Sequence, residues 1–489
     1  MDIILENHED GKRYTTFDPV TGKVEITAPQ DARFDEIRIT LEGSIRTFVE
    51  NLSPHSTKAR TTATHNFLKL SMPIRDSEYP QPRIAEAGRT YTFPFNFNIP
   101  DQLLPRSCSH RCLSDNVYEA HLRLPPSMGS RELSGQDDLA PEMGKVTYSI
   151  KVKVVRNRER DGEERVLVEG SKKIHIVPAS PEEPPMSVSS ADKDYILCKS
   201  KSLKKGMFSG KLGKITVTAA QPSALVLPSP ASPCVPVTTI ATVNLRFDPH
   251  EISSQPPRLG GLTTKIKAST YYAARPAVMF PSHLNMVQQF ESTRGVYDTT
   301  TPLSSRCVEA VAWTKHTPSP AYMRRNSASS TSSDSDSSLP PSSSQKDKPY
   351  YTAEIVVPIT LPSTKTWIPT FHSCILSRTY TIEQTLTIHT PGTGVPASSV
   401  NLRLPVQIAA KGDLTRRATL TPEEAAAELV AADEFLRPRV LEMPSPELVG
   451  NSVLRNGSVS EEERGEGMGL PPSYEDFGAR LTRPVISRG

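Results

Sequence analysis

The sequence predicts an all-β protein with two β-sandwich lobes in tandem. Short segments in which apolar and polar residues alternate recur along residues 24–176 and again along residues 215–408. A period of two is expected of strands with one buried and one solvated face. Loops rather than helical patterns join most of these segments, which favours antiparallel sandwiches over βαβ units. At 489 residues, the chain also exceeds the size at which one hydrophobic core keeps growing.

The first lobe is predicted to span residues 1–180. Pro94 lies inside one of its segments, which predicts an edge strand because proline cannot donate to a neighbouring strand. Gly43 is expected to end another segment. The predicted strands cover residues 24–26, 37–41, 91–100, 146–154 and 174–176.

The second lobe is predicted to span residues 206–410, after a linker at 181–205. The sequence between residues 248 and 354 shows no alternation and is expected to be irregular. Within it, residues 316–349, approximately, are dominated by Ser, Asp and Pro, and cannot bury enough apolar surface to offset the cost of ordering. We expect a disordered insert there. The predicted strands cover residues 215–217, 243–247, 355–361, 380–388 and 402–408.

Residues 411–489 are predicted to be a tail with one short helix at 422–436. Thr421 can cap this helix, Pro422 suits its first turn and Glu424 completes a capping box. Its polar face is acidic and would be repelled by anionic lipid. We therefore expect its apolar face to pack on the second lobe rather than on a membrane.

The tail also carries the tetrapeptide Pro-Pro-Ser-Tyr. Its two prolines favour the polyproline II conformation, and such segments bind the aromatic grooves of WW domains. Tyr474 would fill a neighbouring pocket. The alternative interpretation is a stiff linker that happens to contain a tyrosine. The candidate WW-binding residues are Leu470, Pro471, Pro472 and Tyr474.

Two further features are candidate regulatory or contact sites. Ser327 and Thr419 each follow a pair of arginines, a pattern that basophilic kinases favour, and phosphorylated Ser327 would suit a 14-3-3-type phosphopeptide reader. A lysine cluster could attract acidic lipid head groups or accept ubiquitin, although an ordinary solvated linker between the lobes is the favoured interpretation. The cluster consists of Lys199, Lys201, Lys204, Lys205, Lys211 and Lys214.

Composition and motifs argue against several other functions. A net charge of +3 does not favour a dedicated nucleic-acid binder. The six cysteines include no Cys-x-x-Cys pair, which suggests reduced thiols in a cytosolic protein. The N-terminus does not resemble a signal peptide, and no apolar run would span a bilayer, so membrane association is expected to be peripheral.

We expect neither a metal site, nor a cofactor, nor catalysis. The candidate zinc ligands have two cysteines close together in a Pro- and Ser-rich loop, and no second metal-type pair follows them. No Gly-x-Ser-x-Gly elbow is present. The zinc candidates considered are Cys108, His110, Cys112 and His121.

Four motifs resemble those of fungal arrestin-like proteins of the arrestin-related trafficking adaptor (alpha-arrestin) family. They appear in the family's order along most of residues 14–410, and the opening turn departs from the family's usual Pro-Gly pairing. The resemblance implies two arrestin-type, immunoglobulin-like sandwich lobes in a cytoplasmic protein recruited to the plasma membrane and endosomes. The motifs are Thr16–Val24, Phe93–Pro105, Val146–Ile150 and Ile368–Tyr380.

The same resemblance implies an adaptor without chemistry of its own. It would link membrane transporters or receptors to a HECT-type ubiquitin ligase, whose WW domains would bind the Pro-Pro-Ser-Tyr motif. The alternative is an arrestin-fold scaffold that sorts cargo independently of ubiquitin. Because only the first function needs the tail motif, Tyr474 discriminates between the two hypotheses.

Overall fold

Two β-sandwich lobes follow one another along the chain, which confirms the predicted all-β architecture. The computed structural model describes residues 1–9, 11–50, 60–157, 163–189, 192–206, 210–229, 235–284, 293–317, 348–390 and 396–412. Both lobes belong to one unit of the chain, Met1–Leu420. No helix within these described ranges is both long and apolar enough to cross a membrane.

In its described residues, the first lobe contains ten strands, two α-helices and two single 3-10 turns at Asp76–Glu78 and Pro105–Ser107. The helices are α1 (Asp115–Leu122) and α2 (Arg131–Ser134). The strands are β1 (Asp2–Leu5), β2 (Arg13–Tyr14), β3 (Pro19–Thr27), β4 (Ala32–Arg33), β5 (Glu36–Glu50), β6 (Arg60–Met72), β7 (Ile84–Ala85), β8 (Thr90–Asn98), β9 (Gly144–Asn157) and β10 (Glu164–Ile176).

Two sheets enclose the core of the first lobe. One has the order β1-β3-β8 and the other the order β2-β10-β9-β5-β6. Alternate residues of β3, β8, β5 and β9 are buried in one apolar cluster, as their period of two requires. The Pro94 strand, β8, lies at a sheet edge as predicted. Strands β4 and β7 form a separate small ribbon.

Two expectations for the first lobe are wrong. Strand β5 does not end at Gly43 but continues to Glu50 through a bulge at Gly43–Ser44. A Cβ atom at residue 43 would stand 2.5 Å from Cε2 of Phe67, so the glycine serves close ring packing rather than termination. Strand β6 lies between residues 41 and 91, where the sequence predicted no strand. It is an edge strand with mostly exposed or half-buried residues, so its sequence carries little alternation.

The second lobe contains twelve described strands. They are β11 (Cys198–Lys204), β12 (Lys211–Ala219), β13 (Leu225–Leu227), β14 (Thr238–Pro249), β15 (Arg258–Ala273), β16 (Arg294–Cys307), β17 (Thr314–His316), β18 (Tyr350–Thr360), β19 (Phe371–His372), β20 (Leu376–His389), β21 (Ser398–Val406) and β22 (Ile408–Ala410). One sheet has the order β11-β12-β14-β18-β17, and the other has the order β16-β15-β20-β19 with β21 also paired to β20.

The region expected to be irregular between residues 248 and 354 contains two long strands. Strand β15 is central, and its burial alternates from Leu262 to Ala268. Several of its buried positions hold Gly, Thr or Ser, and Ala268–Tyr271 are buried on both faces, which hides the alternation of apolar and polar residues. Strand β16 lies at the sheet edge, and every one of its residues is exposed or half-buried. Neither sequence therefore shows the clear period of two on which the prediction depended.

The second lobe begins earlier than predicted, because β11 lies inside the segment assigned to the linker. It pairs along its length with β12. Helix α1 was not predicted; it is an eight-residue helix whose N-cap Ser114 accepts a side-chain hydrogen bond from the Val117 amide. Most of the predicted Ser-rich insert and all of the predicted helix at 422–436 lie outside the described residues.

Candidate functional site

Several sequence-predicted sites lie outside the described residues and stay predictions. They are the candidate WW-binding residues Leu470, Pro471, Pro472 and Tyr474 and the candidate phosphorylation sites Ser327 and Thr419. The lysine cluster and the Cys/His set can be placed.

The lysine cluster lies on the β11–β12 hairpin, but it is divided between two faces. Lys199 and Lys201 pair with Val217 and Ile215, whose side chains are buried, so these two lysines lie on the core side of the edge strand. The Lys201 ammonium donates to the Ser399 carbonyl oxygen of the opposite sheet at 3.1 Å. This contact indicates that Lys201 has a structural role, whereas Lys199 is exposed.

The remaining lysines face solvent. Lys204 and Lys211 are paired across the hairpin, and Lys214 lies on the same outer face. Lys205 lies 3.5 Å from Glu251, an exposed ion pair that lowers the local positive charge. The continuous basic surface is therefore smaller than six adjacent lysines suggest.

The segment Ile368–Tyr380, one of the four resemblance motifs, forms much of the contact between the lobes. Most of its apolar side chains belong to the core cluster of the first lobe, although the segment is part of the second lobe and Tyr380 lies in that lobe's core. Leu376 packs so closely on Gly144 that a Cβ atom there would stand 2.6 Å from a leucine methyl carbon. The shared side chains are Ile368, Phe371, Cys374, Ile375 and Leu376.

The centre of this contact is Arg378, which is 0% exposed. Its guanidinium donates to the Leu139 carbonyl oxygen at 3.0 Å and to the Asp138 carbonyl oxygen at 3.3 Å, both in the first lobe. One nitrogen also lies 3.5 Å from the Met128 sulfur. A charged second-lobe side chain thus satisfies the backbone of a buried first-lobe loop.

The loop that receives Arg378 is itself inserted into the second lobe. Leu139 belongs to the apolar core of that lobe and has a φ angle of 59°, which is unfavourable for a branched side chain. The Asp137 carboxylate accepts from the Leu139 amide at 3.1 Å and pairs with Lys365 of the second lobe at 2.7 Å. Each lobe therefore places apolar and polar groups in the other.

His175, on β10, is buried next to this loop. Neither of its ring nitrogens has a hydrogen-bond partner among the described residues. Burial, with a smaller contribution from Arg13, lowers the pKa of His175 from 6.5 to about 4, and Asp138 opposes the shift. The imidazole is therefore neutral at physiological pH.

Acid is expected to destabilise the protein through His175. In the unfolded chain His175 is protonated below about pH 6.5, whereas in the folded chain it is protonated only below about pH 4. The free energy of unfolding therefore falls as the pH decreases from 6.5 to 4. His175 is expected to make the free energy of unfolding about 2 kcal/mol lower at pH 5 than at pH 8. Urea unfolding at both pH values should show a smaller acid loss for His175→Leu than for the wild type. The same change at exposed His389 is the control, and an unchanged pH dependence in His175→Leu would contradict the assignment.

The four Cys and His residues considered as zinc ligands lie close together in the structure, although no metal site was expected from the sequence. The side chains of Cys108, His110, Cys112 and His121 place one ligand atom each within 4.8 Å of all the others. The sequence lacks a second closely spaced Cys or His pair, which was one reason to expect no metal site. In the structure, one histidine lies between the cysteines and the other lies on α1, which folds back over the loop.

Comparison with known protein families identifies the first lobe. Residues 2–176, which include β1 to β10, match the family described as arrestin (or S-antigen), N-terminal domain. No curated protein sequence matches the chain. With an N-terminal domain of this family and a second β-sandwich lobe packed on it, the protein is arrestin-like.

Proposed function

We propose that this protein is a cytoplasmic adaptor that recognises a membrane transporter or receptor and recruits a HECT-type ubiquitin ligase. The observation that carries the proposal is the presence in one chain of an arrestin N-terminal domain and a Pro-Pro-Ser-Tyr motif. The first supports a sorting or trafficking adaptor in general, because proteins of this family act by binding rather than by catalysis. The motif supplies the reason to propose a ligase with WW domains.

The two lobes would act as one platform. Because each lobe contributes side chains to the core of the other, cargo bound to one lobe would be held in a defined orientation to the second. Lys204, Lys211 and Lys214 on the outer face of β11–β12 are suitable for contact with anionic lipid, at about 1 kcal/mol per charge near the membrane surface, or for ubiquitin transfer. Phosphorylation of Ser327, read by a 14-3-3-type protein, would give a point of control.

The proposal predicts that Tyr474→Ala weakens WW binding by about tenfold or more. The two prolines dock their rings in one aromatic groove and the tyrosine fills a second pocket, so removing the ring removes an anchor of the interface. A peptide spanning residues 466–480, in wild-type and Tyr474→Ala forms, should be titrated against the isolated WW domains of the host's HECT ligase. Tyr474→Phe, which keeps the ring and loses only the hydroxyl, should bind closer to the wild type.

A pull-down with the full-length protein connects this contact to function. Wild-type protein should capture both ligase and cargo, whereas Tyr474→Ala should capture cargo alone. Equal affinities of the wild-type and Tyr474→Ala peptides would reject ligase recruitment and favour the scaffold that acts independently of ubiquitin. Loss of cargo in the variant would instead place the tail in cargo recognition.

A further inference from the structure

A loop of the first lobe and the helix that follows it bring together four side chains that can bind a metal ion. Cys108 follows the 3-10 turn Pro105–Ser107, and His110 and Cys112 follow at intervals of two residues. His121 lies in the last turn of α1. The α1 N-cap and a hydrogen bond from the Leu103 amide to the Leu122 carbonyl at 2.7 Å fix the helix against the loop. The four ligand positions are therefore set by the backbone.

Four of the six distances between the ligand atoms are close to those of a single tetrahedral ion, and the other two are within 4.8 Å. Zinc binds thiolate at about 2.3 Å and imidazole at about 2.0–2.1 Å, so tetrahedral geometry requires about 3.8 Å between two sulfurs and about 3.6 Å between sulfur and nitrogen. The two sulfurs are 3.9 Å apart. Cys108 Sγ lies 3.4 Å from His110 Nε2 and 3.7 Å from His121 Nδ1. Cys112 Sγ lies 3.8 Å from His121 Nδ1.

The imidazole of His110 is oriented in the way that a metal ligand requires. Its Nδ1 lies 3.2 Å from the Arg111 carbonyl oxygen, which can only accept a hydrogen bond. A proton on Nδ1 leaves the lone pair on Nε2, the atom that lies 3.4 Å from Cys108 Sγ. A second interaction therefore fixes both the tautomer and the direction of the ring.

We propose that Cys108, His110, Cys112 and His121 bind one Zn²⁺ ion as a structural site. Two thiolates and two imidazoles in tetrahedral arrangement are the donor set that zinc prefers among the common divalent ions. Four protein ligands fill the coordination sphere and leave no open position for a substrate or a reactive water. The site is therefore structural rather than catalytic.

The site lies in a loop that contacts the second lobe, so a bound ion would stabilise part of the contact between the lobes. The same loop contacts the second lobe: the Leu113 amide donates to the Val278 carbonyl oxygen at 2.8 Å, and the buried Cys374 thiol approaches the Ser107 carbonyl oxygen at 4.0 Å. Leu103 and Cys108 anchor this stretch in the core of the first lobe, but Leu104 and Leu113 are more than half exposed, so apolar packing by itself fixes only part of the loop. Zinc would lock the loop in the shape that receives the second lobe.

The test uses the full-length protein without a polyhistidine tag, purified under reducing conditions without chelators. Metal analysis should find about one zinc per chain. Replacement of zinc by Co²⁺ should produce the intense visible bands of a tetrahedral ion and a near-ultraviolet thiolate-to-cobalt band. Removal of the ion by a chelator should lower the melting temperature and expose residues 101–114 to protease, and added Zn²⁺ should restore both properties.

Variants at the half-buried ligands separate metal binding from folding. Cys112→Ser and His110→Gln should each weaken Co²⁺ binding by about 100-fold or more. The matched control is Cys307→Ser, an exposed cysteine on β16, which should bind Co²⁺ as the wild type does. A reduced wild-type protein that holds no zinc and gives no tetrahedral Co²⁺ spectrum would overturn the proposal. So would a Cys112→Ser or His110→Gln variant with unchanged affinity.

Discussion

Replacing Arg378 with alanine is expected to lower the free energy of unfolding by about 3–5 kcal/mol and to uncouple the two lobes. The change leaves the carbonyl oxygens of Asp138 and Leu139 buried without their donor and opens a cavity where the side chain was. The loop with Leu139 at a φ of 59° would then lose a contact that holds it in an unfavourable conformation.

The two tryptophans make the coupling measurable. Trp313 and Trp367, the whole tryptophan content of the chain, both lie in the second lobe, so their fluorescence reports that lobe, whereas circular dichroism reports both. In urea, the wild type should show coincident transitions by the two methods. For Arg378→Ala we expect them to separate, because the lobes no longer unfold together.

Arg246→Ala is the matched control for Arg378→Ala. Arg246 is also a buried arginine, paired with Asp248 at 3.0 Å, but both residues lie on β14 within the second lobe. Its removal should destabilise the protein while the two transitions remain coincident. Coincident transitions in Arg378→Ala as well would show that this arginine stabilises the second lobe without linking it to the first.

Gly144→Ala is expected to lower the free energy of unfolding by about 1–3 kcal/mol, unless Leu376 is replaced by a smaller residue at the same time. The new Cβ atom would stand 2.6 Å from a methyl carbon of Leu376, across the contact between the lobes. Leu376→Ala alone should cost about 2–5 kcal/mol, because it leaves a cavity in the core of the first lobe. In the double variant the added methyl occupies part of that cavity.

A double-mutant cycle measures this compensation. Urea unfolding of the wild type, both single variants and the double variant should give a favourable coupling energy of about 1–2 kcal/mol. Gly170→Ala serves as the control, because its new methyl meets only the flexible end of the Met1 side chain and should not couple to Leu376→Ala. Additive losses for Gly144→Ala and Leu376→Ala would mean that the two positions do not compete for one space.

Strands with one buried face were predictable, and strands in other environments were not. Strands β9 and β14 alternate because one side of each faces an apolar core, so their sequences record the environment directly. Strands β6 and β16 lie at sheet edges with little burial, and β15 has Gly, Thr and Ser at several of its buried positions, so none of them carries the same pattern.

The candidate metal site shows a different limit. Cys108, His110 and Cys112 are close in sequence, but they can form a four-ligand metal site only if a fourth ligand lies next to them in the fold. His121 does so because Ser114 caps α1 and the helix turns back over the loop. The cap was readable in the sequence, whereas the direction of the helix depended on packing.

The sequence by itself determined the all-β class, the two-lobe organisation and the order of the well-buried strands, because side-chain alternation is a local property of the chain. Only the tertiary structure decided which residues join the lobes. Arg378 meets Leu139 across a separation of 239 residues, and such a contact leaves no periodic pattern in either segment. It is selected by the shape and polarity of two surfaces that exist only after both lobes have folded.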